Sequence, residues 1–253
     1  MPFDRVSSFA HLPFPALQRF HEEKGKVRFH LTRVVSEFQG IDGALSGVLL
    51  DNGTLLPASL VVMGAGVVPA TSCFKQGVQK ERDGSIVVDE YLRAAEDVFC
   101  GGDIARYPYH RTNGSLVRIE HFGMAMFHGK TAALNMLDRR VKVSRVVLFL
   151  RHSHLGLIQC QSIPFFWTTA HGKSVRYCGH ALKYDSILID GSLDKLEFVA
   201  YYTFEGTVLA AASVSRDPVV ALVAELMAAD QMPSLEQLLQ EQATGRITLG
   251  GRV

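Results

Sequence analysis

Several things are scarce in this 253-residue chain, and each scarcity excludes a class of protein. The four cysteines, Cys73, Cys100, Cys160 and Cys178, stand far apart with no C-x-x-C among them. That spacing signals neither a zinc knuckle nor a dithiol redox pair, and the thiols read as reduced core residues. Charge of one sign is missing too: the formal net charge is +1, and the basic residues are scattered. Nothing in bulk electrostatics therefore recruits nucleic acid or anionic lipid. Long apolar runs are absent. Even a run such as "VVLFL" at Val146–Leu150 falls far short of the ~20 residues that a membrane helix needs. The first residues, "MPFDRVSSFAHLPF", lack the sustained apolar stretch of a signal peptide.

What is present is an ordinary globular composition, 47% hydrophobic and 20% charged, with enough length for a large core. "PALQRFHEEKGKVRFHL" predicts a short helix ending near Gly25 and then a strand over Val27–Leu31. Asp51-Asn52-Gly53 between apolar runs predicts a hairpin, because Asn and Gly tolerate positive φ. "SLVVMGAG" reads as a strand buried on both faces. A strand at Ile86–Val88 and a second buried strand at Val98–Cys100 repeat that logic. "EHFGMAMFHGKTAALNML" predicts a long helix whose apolar stripe carries Phe122, Ala125, Met126, Ala133, Leu134 and Leu137.

Beyond Ile163 the pattern predicts a strand in "DSILIDG" and a hairpin turning at Glu205-Gly206. A helix follows with Asp217 as N-cap and Pro218 in its first turn, and "SLEQLLQ" carries a capping box. The segment from Val141 to Gln161 fits neither period. The expected division is 1–70, 71–140, an atypical insert over 141–162, 163–232, and a tail over 233–253.

Two apolar runs end in glycines, Gly64-Ala65-Gly66 and Gly101-Gly102-Asp103. In parallel α/β sheets ligands bind at the carboxyl ends of strands, where missing side chains let backbone amides approach a phosphate or a ring. The residues alone leave two roles open for Asp103: accepting hydrogen bonds from ligand hydroxyls, or capping a helix that opens at Ile104.

"LVVMGAGVVPATSCF" and "GSIVVDEYLRAAEDVFCGGDIARYP" resemble the nicotinamide domain's end and the second flavin motif of two-dinucleotide flavoprotein reductases. "EHFGMAMFHGKTAALNML", "IPFFWTTAHGKSVRYCGH" and "LEFVAYYTFEGTVLAAASVSRDPVVALVAELM" narrow the resemblance to the apoptosis-inducing-factor-like flavoproteins. It implies an α/β fold, with partial FAD- and NAD(P)-binding Rossmann-like layers followed by a small α+β C-terminal reductase domain. It also implies hydride transfer from NAD(P)H to FAD and electrons onward to an unnamed acceptor.

By the same resemblance, Asp103 binds the flavin's ribityl chain and Gly102 gives it room. Glu120 and His121 lie at the helix end facing the pyrimidine ring, and Trp167 lies near the isoalloxazine. Gly64 and Gly66 line the nicotinamide side. For Trp167, the lone tryptophan, a place in the core remains open beside the stacking role. No side chain is required as nucleophile, base or metal ligand, and His121, His128 and His171 lack partners at ligand spacing.

The pattern also departs from the family. Neither G-x-G-x-x-G fingerprint is in this sequence, and no Rieske-type Cys-x-His pair is present. The chain thus reads as the C-terminal part of a longer flavoprotein. A second reading is a non-catalytic, pro-apoptotic interaction fragment that meets a protein partner through its C-terminal domain. A mitochondrial address is implied by resemblance, while a cytoplasmic one fits the lack of a targeting segment.

Overall fold

A computed structural model describes residues 13–137 and 160–251, and the chain resolves into two compact units. The expectation for 141–159 lies outside the described residues. The smaller unit, Leu17–Val67, takes most of helix α1 (Pro13–Gly25) and three strands: β1 (Val35–Ile41), β2 (Ala44–Leu50) and β3 (Leu55–Pro57). They form an antiparallel sheet in the order β1-β2-β3. The Asp51–Gly53 turn closes as the sequence predicts. Gly53 N–H donates to the Leu50 carbonyl at 3.0 Å, and Thr54 N–H to Asn52 Oδ1 at 3.1 Å.

Two expected strands do not form here. Residues 26–30 are irregular, and Ser59–Val68 is irregular and solvent-exposed throughout. A strand needs a neighbour's amides and carbonyls, and no described residue pairs with "SLVVMGAG". Its apolar side chains therefore stay in water, with Leu60, Val62 and Met63 at 78%, 89% and 74% exposure.

The larger unit begins with β4 (Ile86–Val87), β5 (Arg93–Ala95), β6 (Val98–Phe99), β7 (Ala105–Tyr109) and β8 (Ser115–Val117). β4 and β7 pair in parallel, with Ile86 opposite Ala105, and β8 adds antiparallel to β7. The predicted buried strand at Val98–Cys100 is instead one arm of a two-stranded antiparallel ribbon with β5; only Cys100 of the three is buried. Helix α2 (Phe122–Met136) packs over a core of Ile86, Val88, Tyr107, Tyr109, Ile119 and Met124.

The stripe predicted to be buried on α2 is largely its outer face. Phe122, Met126 and Leu137 are exposed, while Met124, His128, Thr131, Ala132 and Asn135 turn inward. Close backbone approach selects that inner face: Asn135 Nδ2 donates to the Tyr91 carbonyl at 2.8 Å, and Gly101 abuts His128.

Strands β9 (Phe165–Ala170), β10 (Lys173–Gly179), β11 (Ser186–Ser192), β12 (Glu197–Phe204) and β13 (Thr207–Val214) build a five-stranded antiparallel sheet, ordered β11-β12-β13-β10-β9. The β12–β13 hairpin turns at Glu205-Gly206, both at positive φ. Helix α3 (Val219–Ala228) covers β10 and β13, and α4 (Leu235–Ala243) follows with the predicted capping box between Ser234 and Gln237. Asp217 does not cap α3. Pro218 holds the N-cap position, and the Asp217 carboxylate pairs with Arg176 at 3.2 Å. Cys100, Cys160 and Cys178 are buried as expected, and burial raises all three thiols, the last two to about 12. Cys73 is exposed.

Candidate functional site

The Gly-Gly-Asp stretch lies where the chain leaves β6 and crosses the start of α2. Gly101 is extended and packs so closely on the helix that an added Cβ would sit 2.9 Å from the Cβ of His128. Gly102 takes φ +73° and donates its N–H to His128 Nδ1 at 3.1 Å. That bond fixes the imidazole tautomer with its proton on Nε2. His128 is fully buried against the edge of Tyr107, ring centroids 4.6 Å apart, and burial lowers its pKa to about 4.

Asp103 sits in a single 3-10 turn, Gly102–Ile104, rather than at the start of a longer helix. Its side chain caps nothing, which removes the capping role. The residue is exposed, and its carboxylate makes no hydrogen bond or ion pair with any described residue. Beside it, His121 is the N-cap residue of α2, and Glu120 precedes it. A helix start leaves its first amides without intrahelical partners and carries a partial positive charge. Burial lowers the His121 pKa, while the charges of Asp103 and Glu120 oppose that shift. Its Nδ1 is buried without a hydrogen-bond partner among the described residues.

On the other flank Phe166 meets the His121 ring at 4.8 Å, edge to face, and Trp167 on edge strand β9 is 66% exposed. The core placement for Trp167 is therefore wrong. Its ring lies open to solvent 6.1 Å from that of Phe165, on the strand whose Phe165 carbonyl faces Gly123 of α2. Of the sequence-predicted residues, Gly102, Asp103, Glu120 and His121 thus gather at one end of α2, with β9 and Trp167 alongside. Gly64 and Gly66 belong to the smaller unit and are exposed; a Cβ on either would meet nothing within 4 Å. Gly66 is still required by its φ of +83°.

A set of charged residues behind Asp103 escaped the sequence reading. Asp83 accepts from Arg106 Nη2 at 2.9 Å, from Arg118 Nε at 3.1 Å and from the Ser85 hydroxyl. Burial would raise the Asp83 carboxyl, but Ser85 and Arg106 outweigh it and hold the group far below the usual range. Arg118 also pairs with Glu120 and donates to the Asp103 carbonyl at 3.1 Å. The only local trace was "VRIEH", which alternates apolar and charged side chains into Glu120.

This arrangement, a Gly-Gly-Asp turn against α2 followed by a separate antiparallel sheet, has the fold of the two-dinucleotide flavoprotein class. Residues 14–129 match the family described as pyridine nucleotide-disulphide oxidoreductase, and 165–246 match the reductase C-terminal family. Apoptosis-inducing factor 3 of Homo sapiens is 35% identical over 208 residues, 81% of this chain and 32% of that protein. Rhodocoxin reductase of Rhodococcus erythropolis is 29% identical over 225 residues, 88% of this chain and 47% of the relative. The covalent putidaredoxin reductase–putidaredoxin complex superposes with a TM-score of 0.78 at 22% identity, covering 95% of this chain and 54% of that one. The chain belongs to the pyridine nucleotide-disulphide oxidoreductase family, in its apoptosis-inducing-factor-like branch. It spans about a third of the length of the human relative and about half that of the bacterial one. FAD and NAD(P)H are the cofactors of that family.

Proposed function

We propose that this chain carries the ribityl- and ring-facing part of an FAD-dependent NAD(P)H oxidoreductase that passes electrons to a protein acceptor. The observation that carries the reading is Asp103, an exposed carboxylate with no hydrogen bond to any described residue, beside the start of α2. An acceptor-only group so placed suits the hydroxyls of a polyol chain. The orphaned His121 Nδ1, the first amides of α2 and the exposed Trp167 ring supply the remaining needs of a flavin: polar groups for its pyrimidine end and a flat apolar surface.

Flavin, when bound, supplies hydride acceptance from NAD(P)H and electron release to the acceptor. The chain's own part is to bind, orient and tune. Asp103 would hold the ribityl hydroxyls. The α2 start would favour negative charge at the pyrimidine end. His121, whose pKa burial lowers, would offer Nδ1 as a hydrogen-bonding group to the pyrimidine end. Gly64 and Gly66 would leave the backbone bare on the nicotinamide side. The reductase–ferredoxin pairing of the putidaredoxin complex supports a small redox protein as acceptor.

The test is an absorption spectrum of the purified chain after incubation with FAD and desalting, beside Asp103→Ala. Flavin bands retained by the wild type and lost in the variant are expected. Bands in neither would sink the reading and favour a flavin-free interaction role.

A further inference from the structure

We propose that Arg118 is the positioning residue of this site: it anchors the Asp103 turn while keeping the Asp103 carboxylate free for a ligand. The proposal rests on the flavin reading above. The Arg118 side chain is 4% exposed, and each of its contacts has a separate job. Nε donates to Asp83 Oδ2 at 3.1 Å, while Nη1 donates to the Asp103 carbonyl at 3.1 Å and pairs with Glu120.

Asp83 is a rigid post for this fork. Its Oδ1 takes the Ser85 amide and hydroxyl, and its Oδ2 takes Arg106 as well as Arg118. The planar guanidinium thus ties the two site residues, Asp103 through its backbone and Glu120 through its carboxylate, to the β4–β7 layer. Its charge is already engaged by Asp83 and Glu120. It therefore does not rotate onto the Asp103 side chain, whose oxygens stay free to accept. Lysine carries one point charge with three donors and cannot span these positions in one fixed geometry.

The test compares Arg118→Met, Arg118→Lys and Arg106→Met in the full chain. Arg106 shares Asp83 but touches neither site residue, so its loss reports the general cost of weakening the post. Two readouts are needed: FAD affinity by fluorescence titration, and amide exchange in flavin-free protein at Gly102 and Ala105. Both of those N–H groups are hydrogen-bonded in the structure. Both Arg118 variants should bind FAD about tenfold more weakly than Arg106→Met, the scale of one lost charge-assisted hydrogen bond. They should also exchange those two amides faster at a matched melting temperature. Exchange no faster than in Arg106→Met overturns the proposal, as does wild-type FAD affinity in Arg118→Met. Should Arg118→Met fail to fold, Arg118→Lys alone decides by the same criteria. A wild-type chain that takes up no FAD removes the flavin reading, and the exchange comparison then judges the anchoring by itself.

Discussion

Two adjacent glycines at the site do different work. At Gly101 the constraint is space, because an added Cβ would press on the His128 Cβ and backbone. At Gly102 it is conformation: φ is +73°, while the nearest atom to an added Cβ is Ala125 Cβ at an ordinary 3.5 Å. Gly101→Ala should therefore cost about 1–3 kcal/mol as overpacking, and Gly102→Ala about 1–2 kcal/mol as left-handed backbone strain. Urea melts of the two variants measure this; a neutral Gly101→Ala would refute the packing assignment. The sequence marks the pair as unusual but not the division of labour, since His128 lies on a helix 26 residues away.

His128 itself sets a pH dependence. Burial lowers both His128 and His180 to about 4, the latter also feeling His121, against about 6.5 in the unfolded chain. Between pH 6.5 and 4 the unfolded state then binds more protons, so stability is full above pH 6.5 and declines as pH falls towards 4. The melting temperature should drop across that window. His128→Gln, which keeps an acceptor for Gly102, should make the drop shallower by about one proton's share. Parallel curves for the two proteins would show that His128 does not titrate as described.

Elements announced by local chemistry were legible, and those that depend on distant partners were not. Gly25 ends α1, Asn52-Gly53 turns β2 into β3, and Ser234 with Gln237 opens α4, because each signal lies within a few residues of what it controls. "SLVVMGAG" has the composition of a central strand, yet pairing is a property of two segments, and no described segment pairs with this one. The α2 stripe misled for a related reason: which face turns inward depends on whether small and hydrogen-bonding residues let another backbone approach. The Glu205-Gly206 turn gives an element-scale prediction. Both residues have positive φ, 48° and 76°, and glutamate gains nothing there. Glu205→Asn should stabilise the β12–β13 hairpin by about 0.5–1 kcal/mol, since Asn is the favoured first residue of such turns. A lowered melting temperature would mean that the turn is of another kind.

At the scale of the whole molecule, the apolar run Leu60–Gly66 governs behaviour in solution. It is continuous, uncharged, free of proline and rich in β-formers, and it lies exposed with its backbone unpaired by any described strand. Such segments template edge-to-edge association. A net charge of +1 offers little repulsion to oppose it. The chain should therefore bind an apolar fluorescent dye such as ANS and show concentration-dependent light scattering. Val62→Lys with Met63→Glu should suppress both signals. Because both side chains are exposed, stability should change by no more than about 0.5 kcal/mol. Suppression together with unchanged stability would assign the association to this run. If the double variant scatters like the wild type, association comes from elsewhere, and the exposed face of α2 with Phe122, Met126 and Leu137 becomes the surface to charge next.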